Sequence, residues 1–126
     1  MTVAPLPARP LRLLVFVANP SDLAAMGMDA VALSPLLHTL LPSLAPHTRT
    51  GRVRVTLLTG VTALPDELTA DLRTAGWTLV QLAASLDNLQ RLAVDCDLLY
   101  LTAHGGDDGL LFEADGGDAA WADVAA

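Results

Sequence analysis

Residues 96–113 read Cys-Asp-Leu-Leu-Tyr-Leu-Thr-Ala-His-Gly-Gly-Asp-Asp-Gly-Leu-Leu-Phe-Glu. The apolar run over residues 98–103 has the length of a buried strand, and it delivers His104, followed at once by Gly105 and Gly106. In open α/β sheets, ligands and catalytic groups gather at the carboxyl ends of strands, where loops are held by a rigid sheet yet meet solvent. His104 is therefore the leading candidate for a functional side chain. Gly105, Gly106 and Gly109 open backbone conformations closed to residues with a β-carbon, so main-chain N–H groups there can approach a substrate closely. A strand-end histidine suits general-base chemistry, with a neighbouring N–H as oxyanion donor.

Outward from this run, strand and helix patterns alternate. Residues 13–18, Leu-Leu-Val-Phe-Val-Ala, form a continuous apolar run of the kind covered on both faces. They end in Asn19-Pro20-Ser21-Asp22, a turn in which Ser21 or Asp22 is placed to cap a following helical turn. Leu33, Leu36, Leu37, Leu40, Leu41 and Leu44 then fall at helical spacing, with Ser34-Pro35 as a cap that would split the stretch and Pro42 as a kink. Residues 53–58 read as a second strand closed by Gly60. Residues 65–76 make the clearest helix: proline in the first turn, Asp66 and Glu67 next, Arg73 in the last turn and Gly76 as the stop. Residues 77–82 alternate as a third strand. Ser85 is a plausible cap for a short helix with Leu86, Leu89 and Leu92 on one side. The histidine strand is the fourth, a turn follows at residues 115–118, and a helix is expected to begin at Trp121. This order predicts an α/β fold, a mostly parallel open sheet with helices on both faces and right-handed crossovers.

Composition narrows the function classes. A chain of 126 residues, 52% hydrophobic with mean hydropathy +0.46, builds one domain with a real core. Residues 1–10 read as a proline-rich lead and residues 11–126 as that domain. The net charge is −7 and all seven basic residues are arginine, so no basic stripe exists for nucleic acid. A single cysteine allows no internal disulfide, which points to the cytoplasm. The start lacks a signal-peptide pattern, and the run after Pro10 is broken by Arg12 far short of the ~20 residues that span a bilayer, so no membrane partner is expected. His38 and His47 have no second metal-type ligand at helical spacing. Two other readings start from single features: His104, Asp107 and Asp108 as metal ligands, and a Rossmann-like binder, against which Asn19-Pro20 stands where a glycine-rich turn would be.

Three segments give the chain a family resemblance. Residues 11–23, 86–105 and 109–124 resemble, in order, the first strand and its Asn-Pro-Ser-Asp loop, the helix and strand bearing the catalytic histidine, and the ensuing hairpin of the CHAT family of caspase-like cysteine peptidases, relatives of separase. The resemblance implies a caspase-like fold of which residues 11–126 form the amino-terminal part, the sheet being incomplete at its carboxyl end. It implies His104 as catalytic base, Gly105 as an oxyanion N–H, and Asn19 and Asp22 as residues lining the substrate cleft. A peptide or protein substrate, the carboxyl-terminal half or a partner protein, no metal or organic cofactor, and a bacterial signalling or defence setting are implied with it.

The chain departs from the family pattern in its nucleophile. In caspase-type enzymes the cysteine lies roughly 50 residues after the histidine, whereas Cys96 precedes it. At about 3.3 Å per residue, the extended run separates Cys96 from His104 by over roughly 20 Å, too far for proton transfer. Cys96 is therefore expected to be a small buried hydrophobe. The expected function is the histidine-bearing part of a CHAT-type cysteine endopeptidase, inactive alone. The alternative is a non-catalytic interaction or regulatory module that binds through an unpaired strand edge.

Overall fold

The computed structural model describes residues 9–60, 63–106 and 109–122. Most of the proline-rich lead, Asp107, Asp108 and residues 123–126 lie outside them. In chain order the elements are β1 (Leu11–Val17), a 3-10 turn (Ala24–Met26), α1 (Leu33–Arg49), β2 (Val53–Leu58), α2 (Asp66–Thr74), β3 (Thr78–Val80), α3 (Leu86–Ala93), β4 (Leu98–Thr102), β5 (His104–Gly106), β6 (Gly109–Glu113) and β7 (Ala119–Ala122). The first four strands form a parallel sheet in the order β3-β2-β1-β4, and the last three an antiparallel sheet in the order β5-β6-β7. The protein is thus α/β, with a small antiparallel sheet appended to the parallel one.

Period-two alternation along β1 explains the layering. Val15 and Val17 join Val55 and Leu57 of β2 on one face, where Leu33 and Leu37 of α1 and Leu68 and Leu72 of α2 cover them. Leu14 and Phe16 face the other way, onto Leu89 of α3 and Phe112 of β6. Phe16 and Phe112 meet edge to face with ring centroids 5.3 Å apart. Helices therefore cover both faces of the sheet. No helix among the described residues is long and apolar enough to cross a membrane.

Several local expectations give way to tertiary packing. Residues 33–49 form one helix, with Ala32 rather than Ser34 at its start and with Pro42 and Pro46 inside it. An interior proline costs about 3 kcal/mol, but Leu37, Leu40, Leu41 and Leu44 all pack against the sheet cluster, each worth up to about 1.5–3 kcal/mol. Burial outweighs the lost hydrogen bonds. Ser21 and Asp22 do not cap the 3-10 turn; both side chains reach the loop and strand after β6 instead. Residues 119–122 are a strand rather than a helix start, because Ala119 to Ala122 pair with Leu110 to Glu113.

The largest difference concerns the histidine strand. β4 is not buried: it is an edge strand, and Leu98, Leu99 and Tyr100 are 56%, 44% and 40% exposed. Its apolar composition signalled a covered strand, yet α1 and α2 pack over β1 and β2 and leave that side of β4 bare.

The amino end of β4 is pinned electrostatically. Arg9 donates to both oxygens of Asp97 at 2.7 Å, and the Arg12 main-chain N–H donates to the same carboxylate at 2.8 Å. Chiefly through the Arg9 hydrogen bonds and then through Arg12, Asp97 is held well below the usual carboxylate range. A depressed carboxyl pKa stabilises the fold above the unfolded value near 3.9, and the contribution is lost as pH falls through the folded value. Asp97→Asn is therefore expected to flatten the acid limb of a stability–pH curve below about pH 4, read by thermal melts across pH; an unchanged acid limb would show that the pair contributes nothing.

Candidate functional site

β1 is flanked by β2 and by β4, and the chain reverses its winding between them. After β1 it leaves to the α1 face, whereas α3 brings it to β4 from the opposite face. Loops that part in opposite directions leave a crevice at the carboxyl ends of the two strands, the position where α/β sheets bind ligands.

His104 occupies that crevice. It begins β5 two residues after β4 ends, is half-buried, and its Nε2 lies 2.6 Å from the main-chain carbonyl of Asp29 in the loop after β1. A carbonyl only accepts, so the nitrogen facing it carries the proton. Nδ1 is left as the ring's basic nitrogen. A base held by a third group in a fixed tautomer is the arrangement that general-base catalysis requires.

The loop supplying that carbonyl is tied down by Asn19. Its Oδ1 accepts from Val31 N–H at 2.7 Å and its Nδ2 donates to Val31 C=O at 3.1 Å, closing residues 20–30 into a loop anchored at its base. Asn19 is buried with both side-chain polar atoms engaged. Asp22 accepts from Ala119 N–H at 2.8 Å, and Ser21 donates to Gly117 C=O at 3.2 Å. These contacts bind the β1 loop to the antiparallel sheet. Asn19 also lines a cleft of about 580 Å³ with Pro20, Ser21, Asp29 and Leu64. His104 meets that wall through Asp29.

Gly105 follows in β5, exposed, and a β-carbon there would meet only Leu110 Cδ2 at 3.7 Å, so packing does not demand glycine. Cys96 lies before the opposite end of β4, half-buried against the Leu14 and Phe16 cluster. The crevice thus unites His104 with the Asp29 loop and leaves Cys96 apart. Among the described residues no three His, Cys, Asp or Glu side chains are grouped to hold a metal.

The last residue of the stretch 96–113, to which the sequence pattern assigned no role, organises the crevice floor. Glu113, at the end of β6, is 1% exposed, and its carboxylate accepts from Ala84 N–H at 2.8 Å and Asn19 N–H at 3.3 Å. It also sits against Gly60, which follows β2. A single carboxylate therefore gathers main chain beyond β1, β2 and β3. Three neighbours in β6, Leu111, Phe112 and Glu113, are all buried, so no alternation in the sequence distinguished the glutamate from an ordinary solvated strand end. Asp29 acts through its carbonyl, which no side-chain pattern announces.

No family model, curated protein or solved structure matches the chain.

Proposed function

We propose that the chain is the histidine-bearing, amino-terminal part of a CHAT-type, caspase-like cysteine endopeptidase. The observation that carries the reading is the hydrogen bond from His104 Nε2 to the Asp29 carbonyl at the winding reversal of the sheet. In the implied reaction His104 Nδ1 takes the proton from a cysteine thiol, the thiolate attacks a peptide carbonyl, the Gly105 N–H faces the developing oxyanion, and the imidazolium then protonates the leaving amine. Cys96 stands at the wrong end of β4 for this, so the thiolate has to come from outside these 126 residues. The exposed edge of β4 is where a further strand carrying it would add.

The test is to read the coding sequence beyond codon 126 for an apolar strand ending in cysteine roughly 50 residues after His104, then to assay the joined polypeptide on a peptide library. Hydrolysis abolished by His104→Ala is the expected result. Lack of such a cysteine, or hydrolysis indifferent to the substitution, rejects the reading. The same exposed edge favours a second one, a non-catalytic module that pairs β4 with a strand of a partner protein. That reading requires β4 amide protection on partner binding with His104→Ala unaffected.

A further inference from the structure

A second cleft, of about 340 Å³, lies at the other end of the sheet, over the amino-terminal portions of β1, β2 and β3 and beside the last turn of α3. Arg12, Arg54 and Arg91 line it, three of the seven basic residues in a chain of net charge −7. Register makes the crowding specific: Arg12 and Arg54 are Cα partners on neighbouring strands, as are Thr56 and Thr78 two residues further on. Adjacent strands lie about 4.8 Å apart, and like charges directly opposite one another destabilise a sheet.

The carboxylates nearby do not neutralise this group. Asp97 is spent on Arg9 and on the Arg12 main chain, leaving the Arg12 guanidinium a contact of only 4.0 Å through Nε. Among the described residues that buried Nε has no hydrogen-bond acceptor. Arg91 pairs with Asp87 at 3.1 Å on the open surface, a contact of little worth in water. Arg54 makes no ion pair or side-chain hydrogen bond among the described residues, and none of the three arginines donates to a carbonyl of α3. Asp95 is the one carboxylate lining the cleft.

The geometry points to a binding site for a small phosphorylated organic anion. Paired guanidinium forks match the oxygens of a phosphate bidentately, the threonine hydroxyls supply further donors, and Leu14 and Leu92 give an apolar wall for the organic part. The volume suits a ligand of a few to a dozen heavy atoms, at the lower end of small-molecule pockets. This site lies at the opposite end of the sheet from His104 and does not depend on the reading given to that residue.

The test titrates phenyl phosphate and inorganic pyrophosphate into the purified chain at low ionic strength, with tricarballylate as a carboxylate control. Cys96, the sole cysteine, borders the cleft, so its alkylation by neutral iodoacetamide reports occupancy directly. Expected are saturable one-to-one binding of the phosphate compounds, slowed Cys96 alkylation, and at least tenfold weaker binding in Arg54→Gln with Arg49→Gln unchanged. Without ligand, Arg54→Gln should melt no lower than the parent, since it relieves repulsion and breaks no bond. Absence of saturable binding, equal loss in Arg49→Gln, binding that survives Arg54→Gln, or tricarballylate binding as tightly as the phosphates each overturns the assignment.

Discussion

Replacing Gly60 by alanine is expected to destabilise the protein by about 4 kcal/mol, lowering its melting temperature by about 15 °C for a domain of this size. Gly60 has φ of +62°, a region in which a β-carbon costs roughly 1–2 kcal/mol. That strain alone would be tolerable. The larger effect is that a β-carbon at this position overlaps the Glu113 carboxylate, which cannot withdraw without stripping acceptors from Ala84 and Asn19. Each buried donor left unpaired costs about 1–3 kcal/mol. Gly51 and Gly76 also have positive φ, but nothing lies within 4 Å of the β-carbon either would gain. Gly51→Ala is therefore the control, limited to the backbone penalty. In a double-mutant cycle, Gly60→Ala with Glu113→Ala should cost clearly less than the two singles added, because the overlap is gone. Strict additivity would mean that the carboxylate and the glycine do not share one site.

How this glycine and glutamate came to depend on each other also explains what the sequence could and could not disclose. Helix and strand order, the faces of α2 and α3, the cap at Ser85 and the arrival of a strand at His104 follow from patterns local to a few turns of chain. Ser85 does accept from Asn88 N–H at 3.2 Å, and Leu68 and Leu72 are buried. Edge position is not local. β4 is as apolar as a central strand, and only the order β3-β2-β1-β4 leaves its outer side unpaired. The crevice is less local still: Glu113 meets Asn19 across 94 positions and His104 meets Asp29 across 75. Periodicity carries no information over such separations, so His104 was legible as a strand-end histidine while the groups that hold it were not. Asn19 and Asp22 were legible as polar residues at a strand end, and the bonds they make to Val31 and Ala119 give them work in holding the loop and the antiparallel sheet.

Asn19 joins the fold to the chemistry proposed for His104, and Asn19→Ala is expected to change both stability and the setting of that ring. The substitution removes the partners of the Val31 N–H and C=O together, a loss of about 2–4 kcal/mol at roughly 1–2 kcal/mol per partly buried group. With its base untied, the loop no longer presents the Asp29 carbonyl at 2.6 Å from His104. A neutral imidazole without that acceptor still favours the Nε2–H form in water, but its Nε2–H then exchanges freely with solvent and the ring loses its fixed orientation. Proton NMR, recorded where the ring is neutral, should show a hydrogen-bonded Nε2–H that exchanges slowly with solvent in the parent protein and is broadened by exchange in Asn19→Ala. Asp22→Ala separates simple destabilisation from loss of orientation. It deprives Ala119 N–H of its acceptor, at about 1 kcal/mol, but leaves the Val31 anchor intact, so the Nε2–H should stay slow to exchange. If Asn19→Ala keeps that Nε2–H slow to exchange, the loop holds itself and Asn19 is not what positions the His104 ring.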